Sequence, residues 1–366
     1  MVATVWKRHQ LLLALALAVF CAVALTAASV SEVHAERSSS VLSSTRSLRA
    51  TASEASSAPT PAKTKKPNKK APTATKKPAK KETPKGKKTP PVAGGAVIGN
   101  EANTTAMAKK GGKCVTGDPT SGYISKADVD WIWEKRMKPH FDFKNYIYDQ
   151  LMVNKGKLSY CIRWDSTNKL SKATASKFKA MLDKQYAQWN KWLVGYGCWP
   201  FAKIELEMVG VAVRNKAQLD WTDNSLGPIY AGVLDGDGIP QCPTECYKHR
   251  DFAASADTSK CTGKPFDISL WPTLGQGGGA GGDWGQRVDE AHVLSTLDTP
   301  SSEITAHEIG HGFGLPDFYE PGDKPRENMA KMVMQAGASS SVTEADGWLI
   351  RRGWEHVRMR YPSTKG

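Results

Sequence analysis

The sequence predicts an α+β fold over residues 114–366, and three observations carry that reading. Ile204, Leu206 and Met208 alternate with Glu205 and Glu207, the pattern of a strand with one buried face. Residues 170–194 instead repeat apolar side chains at helical spacing, through Phe178, Met181, Leu182, Tyr186, Trp189, Trp192 and Leu193. Two further helical stretches, 301–314 and 343–359, follow the strand-like segments near the C-terminal end.

Taken in order, the chain opens on Lys7 and Arg8, an apolar run from Leu11 to Leu25, and small residues at Thr26-Ala27-Ala28 and Val33-His34-Ala35. This layout predicts an export signal over 1–35, too short in its apolar part to prefer a membrane span. No later stretch approaches the ~20 apolar residues of a spanning helix. The expectation is a secreted, extracellular monomer with no membrane partner.

Residues 36–57 are rich in Ser, Ala and Thr, and 58–92 form a Lys/Pro/Thr/Ala tract such as Lys63-Thr64-Lys65-Lys66-Pro67. With almost no apolar residue and many like charges, 36–113 predicts a disordered spacer, able to tether to anionic polysaccharide. It holds no cysteine, so it cannot supply a thiolate to block a metal site, and Asn103-Thr104-Thr105 is its single glycosylation pattern. The net charge of +14 belongs to this tail. Residues 1–113 hold 20 of the 50 basic residues and 5 of the 36 acidic ones, which leaves 30 against 31 over the rest. A nucleic-acid-binding domain needs its positive charge on the folded surface, so nucleic acid is excluded as a partner.

Seven cysteines are present, and Cys21 leaves with the signal. The remaining six, Cys114, Cys161, Cys198, Cys242, Cys246 and Cys261, predict three disulfides in an oxidising compartment, with the pairing open. Within 114–366, residues 158–164 suit a strand, 204–213 a second and 266–271 a third. Residues 275–283 are glycine-rich without a lysine or a following phosphate-type helix signal, and predict a flexible or tightly turned loop. Ser301-Ser302-Glu303 opens a helix with Ser or Thr capping available, ending near Gly314.

That helix carries the chemistry. His307 and His311 are four residues apart, so both imidazoles leave one face about a turn apart and can reach a single Zn2+ ion. Glu308 is placed to take a proton from a metal-bound water as it attacks a carbonyl. Gly314 and Pro316 turn the chain out of the helix, and Asp317 is placed to return as a third ligand.

The run from His307 to Asp317 resembles the extended metzincin motif, HExxHxxGxx followed by His or Asp. Gly314-Leu315-Pro316-Asp317 is similar to the snapalysin branch of small secreted proteases. The resemblance implies a zinc endopeptidase acting on protein or peptide substrates, with a twisted sheet, a backing helix near 170–194, an active-site helix at 301–314, and an irregular lower subdomain with a C-terminal helix. It also implies a methionine turn beneath the metal, for which Met334, before Gln335-Ala336-Gly337, is chosen over Met329 and Met332. Phe266 to Pro272 and Gly281 to Arg287 look like segments of fungal and oomycete secreted proteins with the same motif. Residues 114–366 are much longer than a snapalysin, and the cysteine-rich insertion has no counterpart in it. Arg46-Ser47-Leu48-Arg49 matches the RxLR pattern of oomycete effectors, which implies host delivery.

Other features get plainer readings. Asp235-Gly236-Asp237-Gly238 lacks the later ligands of a calcium loop and predicts a tight turn. His140, His249, His292 and His356 predict surface or packed histidines, and Asp346 a brace for the closing helix. The competing function is a secreted effector or wall-binding protein using the same domain as a binding scaffold. Glu308 argues against it, since a scaffold has no need of a general base.

Overall fold

A computed structural model describes residues 109–110 and 113–364. The export signal, the pattern at 46–49 and nearly all of the Lys/Pro tail lie outside the described residues. Those described fall in one compact unit, Gly99–Gly366. Its elements run β1 (Lys109–Lys110), β2 (Lys113–Cys114), α1 (Lys126–Ile132), α2 (Ile147–Val153), β3 (Lys157–Trp164), α3 (Lys172–Asn190), β4 (Glu205–Val213), β5 (Ile229–Ala231), β6 (Ile268–Thr273), β7 (Gly279–Gly282), β8 (Gly285–Asp289), α4 (Glu290–Thr296), α5 (Glu303–Gly312) and α6 (Glu344–Val357).

β1 and β2 pair antiparallel. The other six strands form one sheet in the order β5-β4-β3-β6-β8-β7. All its pairings are parallel except that of β7, which runs antiparallel to β8 at the edge. The fold is therefore mixed α/β with a mostly parallel sheet, a form compatible with the α+β expectation. Parallel neighbours need long crossovers, and α3 supplies the one between β3 and β4.

α3 starts where Ser171 accepts a hydrogen bond from the Thr174 amide, and it buries Phe178, Met181, Leu182, Tyr186 and Trp189 along one stripe. β4 begins in the alternation read from its sequence, but its register against β3 shifts after Tyr160↔Met208, leaving Val209 as the extra residue. The bulge returns Val211 and Val213 to the main core and turns Val209 and Ala212 to the other face. Two apolar clusters result. The large one lies under α3, α5 and α6, and a small one gathers Cys161, Val209, Ala212, Cys242, Cys246 and Phe266.

Two expectations are corrected here. The glycine-rich stretch is not only loop, because Gly279–Gly282 forms the edge strand β7. Ser302 is the N-cap of α5, but its hydroxyl bonds the Thr296 and Thr305 hydroxyls rather than a backbone amide. The six cysteines form Cys114–Cys198, Cys161–Cys242 and Cys246–Cys261. Among the described residues no helix is long and apolar enough to cross a membrane.

Candidate metal centre

α5 is held from three sides. The Trp189 indole N–H donates to the Ala306 carbonyl at 2.9 Å, tying α5 to α3. A Cβ at Gly310 would collide with the Met334 sulfur, so Met334 packs directly against the helix between the two histidines. A Cβ at Gly281 would collide with the Glu308 carbonyl, and one at Gly279 with the Glu308 carboxylate. Glycine in β7 thus lets the edge strand lie against the helix backbone.

Beyond α5, Gly314 adopts φ +84°, and Leu315 N–H bonds back to the Gly310 carbonyl at 3.1 Å. This glycine-terminated helix end turns the chain so that Asp317 faces the two imidazoles. Asp317 Oδ1 lies 3.0 Å from His307 Nε2 and 3.4 Å from His311 Nε2. Ligand atoms of the three residues all lie within 4.8 Å of one another. Donors on a tetrahedral ion at ~2.0–2.1 Å stand roughly 3.3 Å apart, so this spacing fits a metal ion.

The second ring nitrogens are committed elsewhere. His307 Nδ1 donates to the Val333 carbonyl and His311 Nδ1 to the Leu315 carbonyl, both at 2.8 Å. Those bonds leave each Nε2 facing Asp317, the ring orientation of a metal-ligating histidine.

Glu308 is 4 % exposed, its Oε2 lies 3.8 Å from His311 Nε2, and that oxygen has no hydrogen-bond partner among the described residues. A buried carboxylate oxygen left without a donor marks a place where a further group belongs. Burial raises the Glu308 pKa, with the imidazoles of His311 and His307 opposing. Burial also opposes charge on His311, yet the hydrogen bond and charge of Asp317, with Glu308, push it up to about 9. Burial likewise opposes charge on Asp317, but bonds to His307 and His311 hold it far below the usual carboxylate range.

No family model, curated protein or solved structure matches this chain. Function is therefore read from the site.

Two participants escape the sequence reading, and a third, Asp346, does more than expected. Tyr319 stacks on His307, with ring centroids 6.1 Å apart, and its hydroxyl lies 3.2 Å from His307 Nε2. Nothing in residue spacing marks a tyrosine two positions past Asp317. Arg136 holds the ligand loop by donating to the Asp317 carbonyl at 3.2 Å and pairing with Asp323 at 2.6 Å. Asp346 is buried and braces α6 as expected, through a capping box with Thr343. It also accepts the Val333 amide at 2.9 Å and the Met334 amide at 3.3 Å, and so fixes the turn that orients His307. The spelling Thr343-Glu344-Ala345-Asp346 is a signal that would have found the cap.

The remaining candidates are absorbed by structure. His249 is buried against Asp267 at 2.8 Å, and His292 bonds the Ser302 hydroxyl at 3.3 Å. Met332 is also fully buried and Met329 nearly so, but it is Met334 that meets α5. In the 235–238 turn, Asp235 caps the Asp237 and Ile239 amides and pairs with Arg163 at 2.5 Å.

Proposed function

We propose that the chain is a secreted zinc endopeptidase of the metzincin type, with 36–113 as a spacer and 114–366 as its protease domain. The observation that carries this reading is the convergence of His307, His311 and Asp317 within 4.8 Å beside a buried carboxylate oxygen that lacks a donor. Two imidazoles and one carboxylate form a donor set suited to zinc, with a coordination position left over for chemistry. A zinc ion held there would supply an acidified water and a Lewis acid.

The chain's own residues supply the rest. Glu308 would accept the attacking water's proton and then pass it to the leaving amine. The Tyr319 hydroxyl, beside the ligand atom of His307, can donate to the oxyanion that develops on the substrate carbonyl. The outer edge of β7, which runs along α5, offers backbone groups to an extended peptide, the geometry an endopeptidase needs. Met334 and Asp346 form the floor that keeps α5 and the 333–334 turn in register.

The test is metal analysis of the full chain purified without chelator, paired with casein hydrolysis before and after chelation. About one zinc per chain and hydrolysis abolished by chelator are expected. Less than about a tenth of an equivalent, or hydrolysis indifferent to chelator, overturns the reading.

A further inference from the structure

The opposite face of the sheet carries a second cleft that the proposed peptidase chemistry does not use. Ile268 and Leu270 of β6 point into the main core, so Ser269, Trp271 and Thr273 face the other way, toward the cysteine-rich insertion. β3, β6 and β8 are parallel, with Ile162 beside Leu270 and Trp271 beside Arg287. Arg163, Trp271 and Arg287 therefore form a row across three strands. The guanidinium carbons lie 3.9 and 4.2 Å from the Trp271 ring centroid. These two charges are already matched, Arg163 by Asp235 at 2.5 Å and Arg287 by Asp165 at 3.3 Å.

Beside this row lies a cleft of about 340 Å³, walled by Tyr247, Phe266, Trp271 and Trp284. Its frame is fixed. The Cys161–Cys242 and Cys246–Cys261 disulfides tie the insertion to the sheet and to itself, and the Ser269 amide holds the Trp284 carbonyl at 2.8 Å. Its polar lining is two guanidiniums, Arg163 and Arg250, with the Thr244, Tyr247 and Ser269 hydroxyls and the Gln241 amide. Arg250 is exposed and, among the described residues, has no ion pair, while Ser269, 6 % exposed, has no partner for its hydroxyl. Among the described residues no carboxylate lines the cleft.

We propose that this cleft binds a small aromatic carboxylate, its ring against Tyr247, Phe266 and Trp284 and its acid group on Arg250 and the Ser269 hydroxyl. The volume lies near the lower end for ligand pockets, which suits one ring and a short acidic arm. A sugar acid fits less well, because its ring hydroxyls would be desolvated against the Tyr247, Phe266 and Trp284 rings. The Arg250 guanidinium in the lining disfavours a cationic ligand.

The experiment is calorimetric titration of the full chain with phenylacetate, phenylacetamide and glucuronate. Saturable binding of phenylacetate is expected, with phenylacetamide weaker by about tenfold or more, since charge-assisted hydrogen bonds are roughly twice as strong as neutral ones. Arg250→Ala should cost phenylacetate a similar factor, Ser269→Ala a smaller one, and Glu308→Gln nothing, because Glu308 belongs to the other face. No saturation by about 10 mM, far above the Kd range of specific sites, overturns the proposal. So does equal binding of the amide, preference for glucuronate, or an Arg250→Ala variant that binds as before.

Discussion

Glu308 and Asp317 both approach His311 Nε2, and their removal should fail in different ways. On the proposed reading Glu308→Gln keeps the size and loses the base, so zinc content should hold while turnover falls ~10²–10⁴-fold. Asp317→Ala removes the anion that touches both Nε2 atoms, so metal content should fall together with activity. Full activity in the first variant would remove Glu308 from the mechanism, and full metal in the second would move the third ligand elsewhere. His311 adds a pH signature. Its pKa in the metal-free chain is raised from 6.5 to about 9, so the pairing stabilises that form fully below 6.5 and is lost as pH rises through about 9. A metal must displace the same proton, so its affinity should weaken as pH falls below about 9. Calorimetry in two buffers of different ionisation enthalpy should show about one proton released per zinc at pH 7, and almost none at pH 10. Equal release at both values would place that proton on another group.

At the scale of elements, α5 depends on glycines where its own propensity would favour alanine. Gly310→Ala gains up to ~1 kcal/mol of helix propensity. Its Cβ, however, would collide with the Met334 sulfur and come within 2.9 Å of the Trp189 ring, and both side chains are fully buried. Overpacking of this kind costs ~1–3 kcal/mol, so the net effect should be destabilising and visible as a lower urea midpoint. Gly322→Ala, with open space around it, is the matched control. A Gly310→Ala variant as stable as wild type would mean that Met334 yields freely and is not a fixed floor. This dependence also explains what could be read in advance. α3 and the start of β4 were legible because buried side chains repeat at 3.6 or 2 residues, whereas β3, buried on both faces, showed as a short apolar run and α5 as its i, i+4 histidines. β7 was not, because Gly279-Ala280-Gly281-Gly282 has almost no side chains to alternate and is selected for close approach instead. The Val209 bulge and the hydroxyl of Tyr319 depend on contacts between distant segments, which local periodicity does not encode.

Across the whole described unit the three disulfides join regions that no single element connects, and their loop lengths predict unequal contributions. Six cysteines allow 15 pairings. The observed set includes two long loops, with sequence separations of 84 and 81, and one short loop of 15. Cys114–Cys198 and Cys246–Cys261 each pair a buried cysteine with a half-buried one, so lost packing is similar when either is replaced by serine. What remains is the chain entropy of the unfolded state, which grows with the logarithm of loop length and favours the 84-residue loop by about 1.5 kcal/mol. Cys161 and Cys242 are both buried in the small second core, so serines there add desolvation of two hydroxyls to a nearly equal loop term. Urea midpoints of the three double-serine variants should therefore fall most for Cys161/Cys242, less for Cys114/Cys198 and least for Cys246/Cys261. Zinc content should be unchanged in the Cys246/Cys261 variant, since that loop packs on the sheet face away from α5. Equal losses for the two partly exposed pairs would show that native packing, rather than loop closure, sets their worth, and lost zinc would couple the two faces of the sheet.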